Sequence, residues 1–267
     1  MSAPRTGTVA VRWLGHASVV LDLGGVRLLT DPLLQRHAGL LRRRGAAPAV
    51  EAWQGATAVL ISHLHYDHAE LGSLELLDHI PVLSAPANVR WLHARGFDAA
   101  VGLHGDAWWS VPGSDVRVRL THAVHGERPM MRRPNAANGF LVAAPGLRIW
   151  FAGDTAPFPG MAHLAELAGG PIDLALVPVG GWGPKLSGGH MDPVQAAHAC
   201  AVSGARIAVP VHWGTLHAPA SRRLPPGWMD RAGAAFHVAL ERVAPGCRAL
   251  VLEPGGTVDV AARDAAD

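Results

Sequence analysis

The chain of 267 residues is 49% hydrophobic and 16% charged, enough apolar mass for one large core or two small ones, which excludes a mainly disordered polypeptide. Its 23 basic residues against 21 acids leave a formal charge of +2, too weak a field to hold a nucleic acid nonspecifically. Two cysteines, Cys200 and Cys247, make neither a CxxC pair nor a disulfide framework, so a reducing, cytoplasmic setting is expected.

Residues 1–14 carry no apolar run followed by a small-residue cleavage site, and no apolar stretch reaches the length of a bilayer span. Residues 8–14 and 18–23 read as strands. Gly24-Gly25 is a hairpin turn into a third strand, 26–30, which stops at Asp31-Pro32. Residues 35–56, with Arg42-Arg43-Arg44 and no clear period, read as a long surface loop or short helix. Residues 57–61 form a buried strand, and Leu71, Leu74 and Leu77 lay an apolar helical stripe after it. In the second half, 116–121, 139–144, 147–152, 172–179 and 206–211 read as strands. Asp192 caps a helix that begins with Pro193 and stops at Gly204, and another helix covers 229–243. The expectation is one α/β unit over residues 1–267, a single domain made of two similar halves.

Sixteen histidines beside one tyrosine are the compositional anomaly, and their placement decides the reading. Residues 63–68 are His-Leu-His-Tyr-Asp-His. If the strand ends at Ser62, His63 and His65 leave it on the same side, while Asp67 and His68 reach back from the following turn. Neutral imidazoles and a carboxylate in this density suit zinc, iron or manganese. Three more strands run into donors: 116–121 into His122 and His125, 147–152 into Asp154, and 206–211 into His212. Taken alone, Asp154 reads as a helix cap and His212 as a hydrogen-bonded core imidazole; beside 63–68 both become candidate ligands. The edge where strands end in loops is where α/β proteins place their sites.

This pattern resembles the metallo-β-lactamase superfamily, whose signature is HxHxDH followed by a separate His, Asp and His. The stretches TrpLeuGlyHisAlaSer at 13–18, LeuThrAspPro at 29–32, GlyAspThr at 153–155 and HisTrpGlyThr at 212–215 are similar to one branch of it. That branch includes N-acyl-phosphatidylethanolamine phospholipase D and ascorbate-phosphate lactonase-like proteins, and the resemblance spans residues 9–217. It implies a four-layer αββα sandwich with a two-metal site on one edge. One metal would take His63, His65 and His125, the other Asp67, His68 and His212, with Asp154 bridging; His122 competes with His125 for its place. The expected cofactors are two divalent ions, zinc foremost, with manganese or iron as alternates.

Two such ions supply a bridging hydroxide at neutral pH, so the expected activity is a metal-dependent hydrolase acting on a phosphodiester or phosphorylated small molecule. A lactonase on a cyclic ester and an iron-dependent oxidoreductase of the same fold are the alternatives. Asp67 would orient the hydroxide, and His190, before the helix capped by Asp192, would protonate the leaving group. His16 and Asp31 read as groups that anchor ligands. The clusters Arg42-Arg43-Arg44 and Arg128, Arg132, Arg133 suit an anionic substrate. Trp182 could floor a pocket, and Met130 and Met131 could line its lip. The expected partner is a small molecule, with no nucleic acid and no transmembrane segment; a homo-oligomer stays open.

Overall fold

The computed structural model describes residues 7–77, 79–126, 133–134, 136–223 and 225–263. Strands β1 (Thr8–Gly15), β2 (Ser18–Leu23) and β3 (Val26–Thr30) form an antiparallel meander. Gly24 and Gly25 both have positive φ, +55° and +79°, the conformation that a two-residue hairpin turn requires and that a Cβ opposes. The stretch 35–56, expected to be a loop or helix, instead holds the hairpin β4 (His37–Ala38) and β5 (Leu41–Arg43), then a 3₁₀ turn at Val50–Ala52. Three parallel strands complete the first sheet: β6 (Ala58–Leu60), β7 (Val82–Ser84) and β8 (Ala100–Gly102). The helices α1 (Leu71–Glu75) and α2 (Pro86–His93) connect them. Leu77 lies beyond α1 yet is buried, so the apolar stripe outlasts the helix.

The second half repeats the plan with β9 (Trp109–Ser110), β10 (Arg117–His122), β11 (Asn138–Ala144) and β12 (Leu147–Phe151) running antiparallel. After helix α3 (Leu164–Ala168), strand β13 (Leu174–Pro178) adds in parallel, and after α4 (Pro193–Ser203) so does β14 (Ile207–Val211). Strand β15 (Leu216–His217) pairs with β5, which ties the arginine-bearing hairpin to the segment after β14. Helix α5 (Arg231–Val243), β16 (Arg248–Ala249) and β17 (Thr257–Ala261) close the chain. The cap of α4 is as expected: the Asp192 carboxylate accepts from Val194 N at 2.9 Å and Gln195 N at 2.8 Å, while Gly204 ends the helix at φ +67°.

The sheets run β17-β1-β2-β3-β6-β7-β8 and β9-β10-β11-β12-β13-β14-β16, two seven-stranded series with the same sequence of antiparallel then parallel pairings. Alternation along the first sheet sends Val19, Leu21, Leu28, Ala58 and Leu60 into a core shared with the second sheet. Val20, Leu29, Val59 and Ile61 face the other way, onto Leu74 of α1 and Val89 and Leu92 of α2. Ala196, Ala197 and Cys200 of α4 and Phe236 and Leu240 of α5 join the core of the second sheet. The result is an αββα sandwich. No helix among the described residues is long and apolar enough to cross a membrane.

Candidate metal centre

Because β1, β3 and β6 run in one direction, as do β10, β12, β13 and β14, seven strands deliver their C-terminal ends to one edge of the sandwich. His16 follows β1, Asp31 follows β3, His63 lies three residues past β6, His125 follows β10, Asp154 follows β12 and His212 follows β14. The two sheets meet there: Asn138 N donates to the Ser62 carbonyl at 3.0 Å. A Cβ on Gly153, at φ +61°, would stand 2.8 Å from both Asn138 O and Ser62 Cβ. Among the described residues, three of the five non-glycine residues with positive φ are His16 (+53°), Asp31 (+32°) and His212 (+62°), so uncommon backbone conformations concentrate at this edge.

All seven expected ligand residues converge. His63, His65 and His125 form one group and His16, Asp67, His68 and His212 another; within each group the donor atoms lie within 4.8 Å of one another. Asp154 connects them, grouping with His63 and His68 on one side and with His125 and His190 on the other. His122 points away: it and Val124 are exposed while Thr121, Ala123 and His125 are buried, and the His122 ring packs against Phe158.

The hydrogen bonds fix which nitrogen of each ring faces the cluster. His68 Nδ1 donates to Asp31 Oδ2 at 2.7 Å, His212 Nδ1 to the Gly180 carbonyl at 3.0 Å, and His125 Nδ1 to the Gly189 carbonyl at 2.9 Å. A carbonyl only accepts, so a proton occupies Nδ1 of His212 and of His125, and each ring presents its Nε2 to the cluster. The Nε2 atoms stand close to other ligand-type atoms. His68 Nε2 lies 3.1 Å from His212 Nε2, and Asp154 Oδ2 lies 3.1 Å from the first and 3.2 Å from the second. His125 Nε2 lies 3.0 Å from His65 Nδ1. His63 Nε2 and Asp154 Oδ1 are buried without a hydrogen-bond partner among the described residues. Tetrahedral zinc at about 2.0–2.1 Å from nitrogen separates neighbouring donors by about 3.3 Å, so the donor set fits a divalent ion in both chemistry and spacing.

The electrostatics agree. Burial holds the His16 imidazole down at about 3 and His65 at about 4, and lowers His63 and His125 as well, keeping them neutral. Burial opposes ionisation of Asp67 and Asp154, but the surrounding imidazoles outweigh it and hold both well below the usual carboxylate range. Burial likewise works against a charged His68, yet Asp154, Asp67 and Asp31 overcome it and raise its pKa well above 6.5. The most carboxylate-rich point of the cluster thus demands positive charge.

Around this set stand the supporting groups. Asp31 also accepts from Ser62 N at 2.7 Å and Ser62 Oγ at 2.6 Å, and the same hydroxyl lies 3.0 Å from His63 Nδ1. His16 Nε2 lies 2.9 Å from Asp67 Oδ2. The His190 ring reaches the edge of the cluster, its Nε2 3.2 Å from Asp154 Oδ2 and its Nδ1 donating to the Ser187 carbonyl at 3.1 Å. Arg133 departs from the expectation of a substrate-facing side chain. It is buried and donates to the carbonyls of Leu64 at 2.9 Å and Ala69 at 3.2 Å, with its guanidinium 3.9 Å from the Tyr66 ring centre, so it clasps the turn that bears the motif. Arg43 and Arg44 turn to Leu14 and Asp230, away from the donors, and Trp182 is exposed on its loop. Arg128, Arg132, Met130 and Met131 lie outside the described residues. Sequence reasoning missed Ser62 and the clasping role of Arg133; the only signal for Ser62 was its position at the start of the motif.

Residues 26–213 match the family model described as the Beta-lactamase superfamily domain. A UPF0173 metal-dependent hydrolase of Deinococcus radiodurans is 31% identical over 259 residues, covering 94% of this chain and 99% of that protein. An uncharacterized protein of Mycobacterium tuberculosis is 29% identical over 231 residues, 78% of this chain, which spans 59% of that relative's length. Igni18, a metallo hydrolase from Ignicoccus hospitalis, shares the fold with a TM-score of 0.74 at 21% identity, over 96% of this chain and 100% of the other. CmlA, a diiron beta-hydroxylase from Streptomyces venezuelae, does so with a TM-score of 0.67 at 17% identity, over 97% and 55%. With its family model spanning the motif-bearing strands of both sheets, the chain belongs to the metallo-β-lactamase superfamily, in the family of UPF0173 metal-dependent hydrolases.

Proposed function

We propose that the protein is a binuclear metal-dependent hydrolase acting on a phosphodiester or phosphorylated small molecule. In this reading His63, His65 and His125 would hold one ion and Asp67, His68 and His212 the other, with Asp154 available to both. Zinc is the leading occupant, with manganese and iron as alternates. One observation carries the reading: the His and Asp donor atoms gather in groups within 4.8 Å of one another, and inside them His63 Nε2 and Asp154 Oδ1 are buried with no hydrogen-bond partner among the described residues, an unmet bonding capacity that a cation fills.

When bound, divalent ions would supply Lewis acidity toward a substrate oxygen and lower the pKa of a water molecule. The chain's own groups do the rest. Asp67, held by His16, orients the attacking water. His190 has its Nδ1 proton committed to Ser187, so its Nε2 must carry a second proton to bond Asp154; burial opposes this, and Asp154 raises the pKa in spite of it. That proton is placed to pass to the leaving group. Likeness to the branch containing N-acyl-phosphatidylethanolamine phospholipase D and ascorbate-phosphate lactonase-like proteins supports a phosphate-bearing substrate. A cyclic ester is the rival within the same mechanism, since the same attack serves either centre.

The test is elemental analysis of protein from metal-replete growth, joined to turnover of a bis-aryl phosphodiester and a panel of lactones. Two divalent ions per chain and phosphodiester turnover are expected. Lactone turnover alone would change the substrate; iron with oxygen consumption would replace hydrolysis by oxidation, the chemistry named for CmlA; protein devoid of metal would end the proposal.

A further inference from the structure

A cavity of about 750 Å³ does not touch the candidate ligands. It opens between the segment after β5, the segment after β14 and the turn at 253–255 ahead of β17. Its volume falls within the range of about 300–1,000 Å³ of small-molecule sites. Four arginines, Arg12, Arg43, Arg44 and Arg222, border it against two acids, Asp230 and Glu253, so its walls carry two positive charges in excess. Leu14, Trp213, Met229 and the small-residue run at 45–49 give it an apolar side.

The arginines are not equivalent. Arg44 pairs with Asp230 at the exposed margin, and Arg12 Nε donates to Thr257 Oγ1 at 3.0 Å. Arg43 is 8% exposed and donates to the carbonyls of Leu14 at 2.9 Å, Leu33 and Gln35, forming no ion pair among the described residues. Burial alone pushes its guanidinium down to about 10, with no carboxylate to counter it. A buried cation without a counter-ion is costly, and an anion in the adjoining cavity removes that cost.

We propose that this cavity binds a small phosphomonoester dianion, its phosphate among Arg43, Arg44 and Arg222 and its apolar body against Trp213 and Met229. The guanidinium fork matches phosphate oxygens, and a dianion balances the two excess charges. One layer of chain separates the cavity from the metal centre. Arg43 holds the Leu14 carbonyl and abuts Gly15, where a Cβ would lie 2.8 Å from its Nη1, and the next residue, His16, contacts Asp67.

The test uses phenylphosphonate, an unreactive dianion with an apolar ring, in calorimetric titrations of the metal-loaded protein, the chelator-treated protein, and the Arg222→Glu and Arg44→Glu variants. Metal content and thermal unfolding are measured on each variant. Binding that survives chelation, weakens about tenfold or more on either charge reversal and is absent for benzyl alcohol is expected. Binding that disappears on chelation and is unmoved by both substitutions would put the phosphonate on the metals, and absence of binding at millimolar phosphonate would equally overturn the site.

Discussion

Asp31→Asn separates the chemistry of the Asp31 carboxylate from its shape. The side chain must turn its carbonyl toward Ser62 N, 2.7 Å away, because that backbone donor cannot be reoriented. The amide nitrogen then occupies the position of Oδ2, 2.7 Å from His68 Nδ1, and that ring nitrogen must accept instead of donate. A neutral His68, the form that binding an ion requires, then changes tautomer, and its proton moves to Nε2, the atom facing His212 and Asp154. Asparagine tolerates the φ of +32° at this position, so backbone strain is not added. Partners of this kind behind a metal-binding histidine are worth about 10–100-fold in affinity, or about 1.4–2.8 kcal/mol. Competition against a chromophoric chelator, with bound metal counted after dialysis, measures the loss. One ion should weaken by that factor and the ion of the His63 group far less. A variant that retains both ions at parental affinity would refute the tautomer reasoning and, with it, the place of His68 among the ligands.

Three further outcomes follow from the same geometry. The chelator-treated protein should lose stability on mild acidification. The folded pKa values of His16 (about 3), His65 (about 4), His63 and His125 lie below the ordinary 6.5, so the unfolded chain takes up more protons as pH falls below 6.5. His68 and His190 act in the opposite sense, their contribution full below 6.5 and lost as pH rises through their raised values, but they are the smaller set. Melting temperatures should therefore drop between about pH 7 and pH 5, and a flat profile would count against the buried neutral rings. Arg133→Lys replaces a planar guanidinium, whose Nη1 reaches both Leu64 O and Ala69 O while its face lies on the Tyr66 ring, with a compact ammonium that cannot stack; metal affinity should fall several-fold and the cobalt-substituted absorption spectrum should change, while an unchanged spectrum would deny Arg133 its clasp on the turn. Gly153→Ala drives a methyl group to 2.8 Å from Asn138 O and Ser62 Cβ, and denaturant unfolding should show a loss of about 1–3 kcal/mol.

The convergence of the candidate site was legible in the sequence because ligand-type side chains are few and their spacing is set by strand and turn geometry. Thus His63, His65, Asp67 and His68 stood out within six residues, and Asp154 and His212 each followed an apolar run. The meander of β1 to β3 and the cap of α4 were legible for a similar reason, since Gly24-Gly25 and Asp192-Pro193 state their backbone conformation locally. Short strands escaped. Val82–Ser84 and Ala100–Gly102 are three residues each, too brief for a period to show, and β17 exists only because β1, some 250 residues earlier, offers it an edge. Arg133 was misjudged for a related reason: a charge in a basic run reads as solvated, and only the fold supplies the two carbonyls and the aromatic face that hold it inside.

The two halves share a strand plan but divide the chemistry unequally, and His68 shows how. Asp31 follows the third antiparallel strand of the first sheet and Asp154 follows its counterpart in the second. The two carboxylates bracket one imidazole, Asp31 Oδ2 at 2.7 Å from Nδ1 and Asp154 Oδ2 at 3.1 Å from Nε2. Asp31 is fully buried, with Ser62 filling its remaining hydrogen-bonding capacity, so it can only orient the ring. Asp154 keeps Oδ1 unpartnered among the described residues and faces three histidines, so it is the carboxylate left available to a cation. Equivalent positions in a repeated sheet thus become anchor and candidate ligand according to whether backbone and hydroxyl donors saturate the carboxylate. Exchanging the roles would require removing Ser62 from one half and supplying such donors in the other.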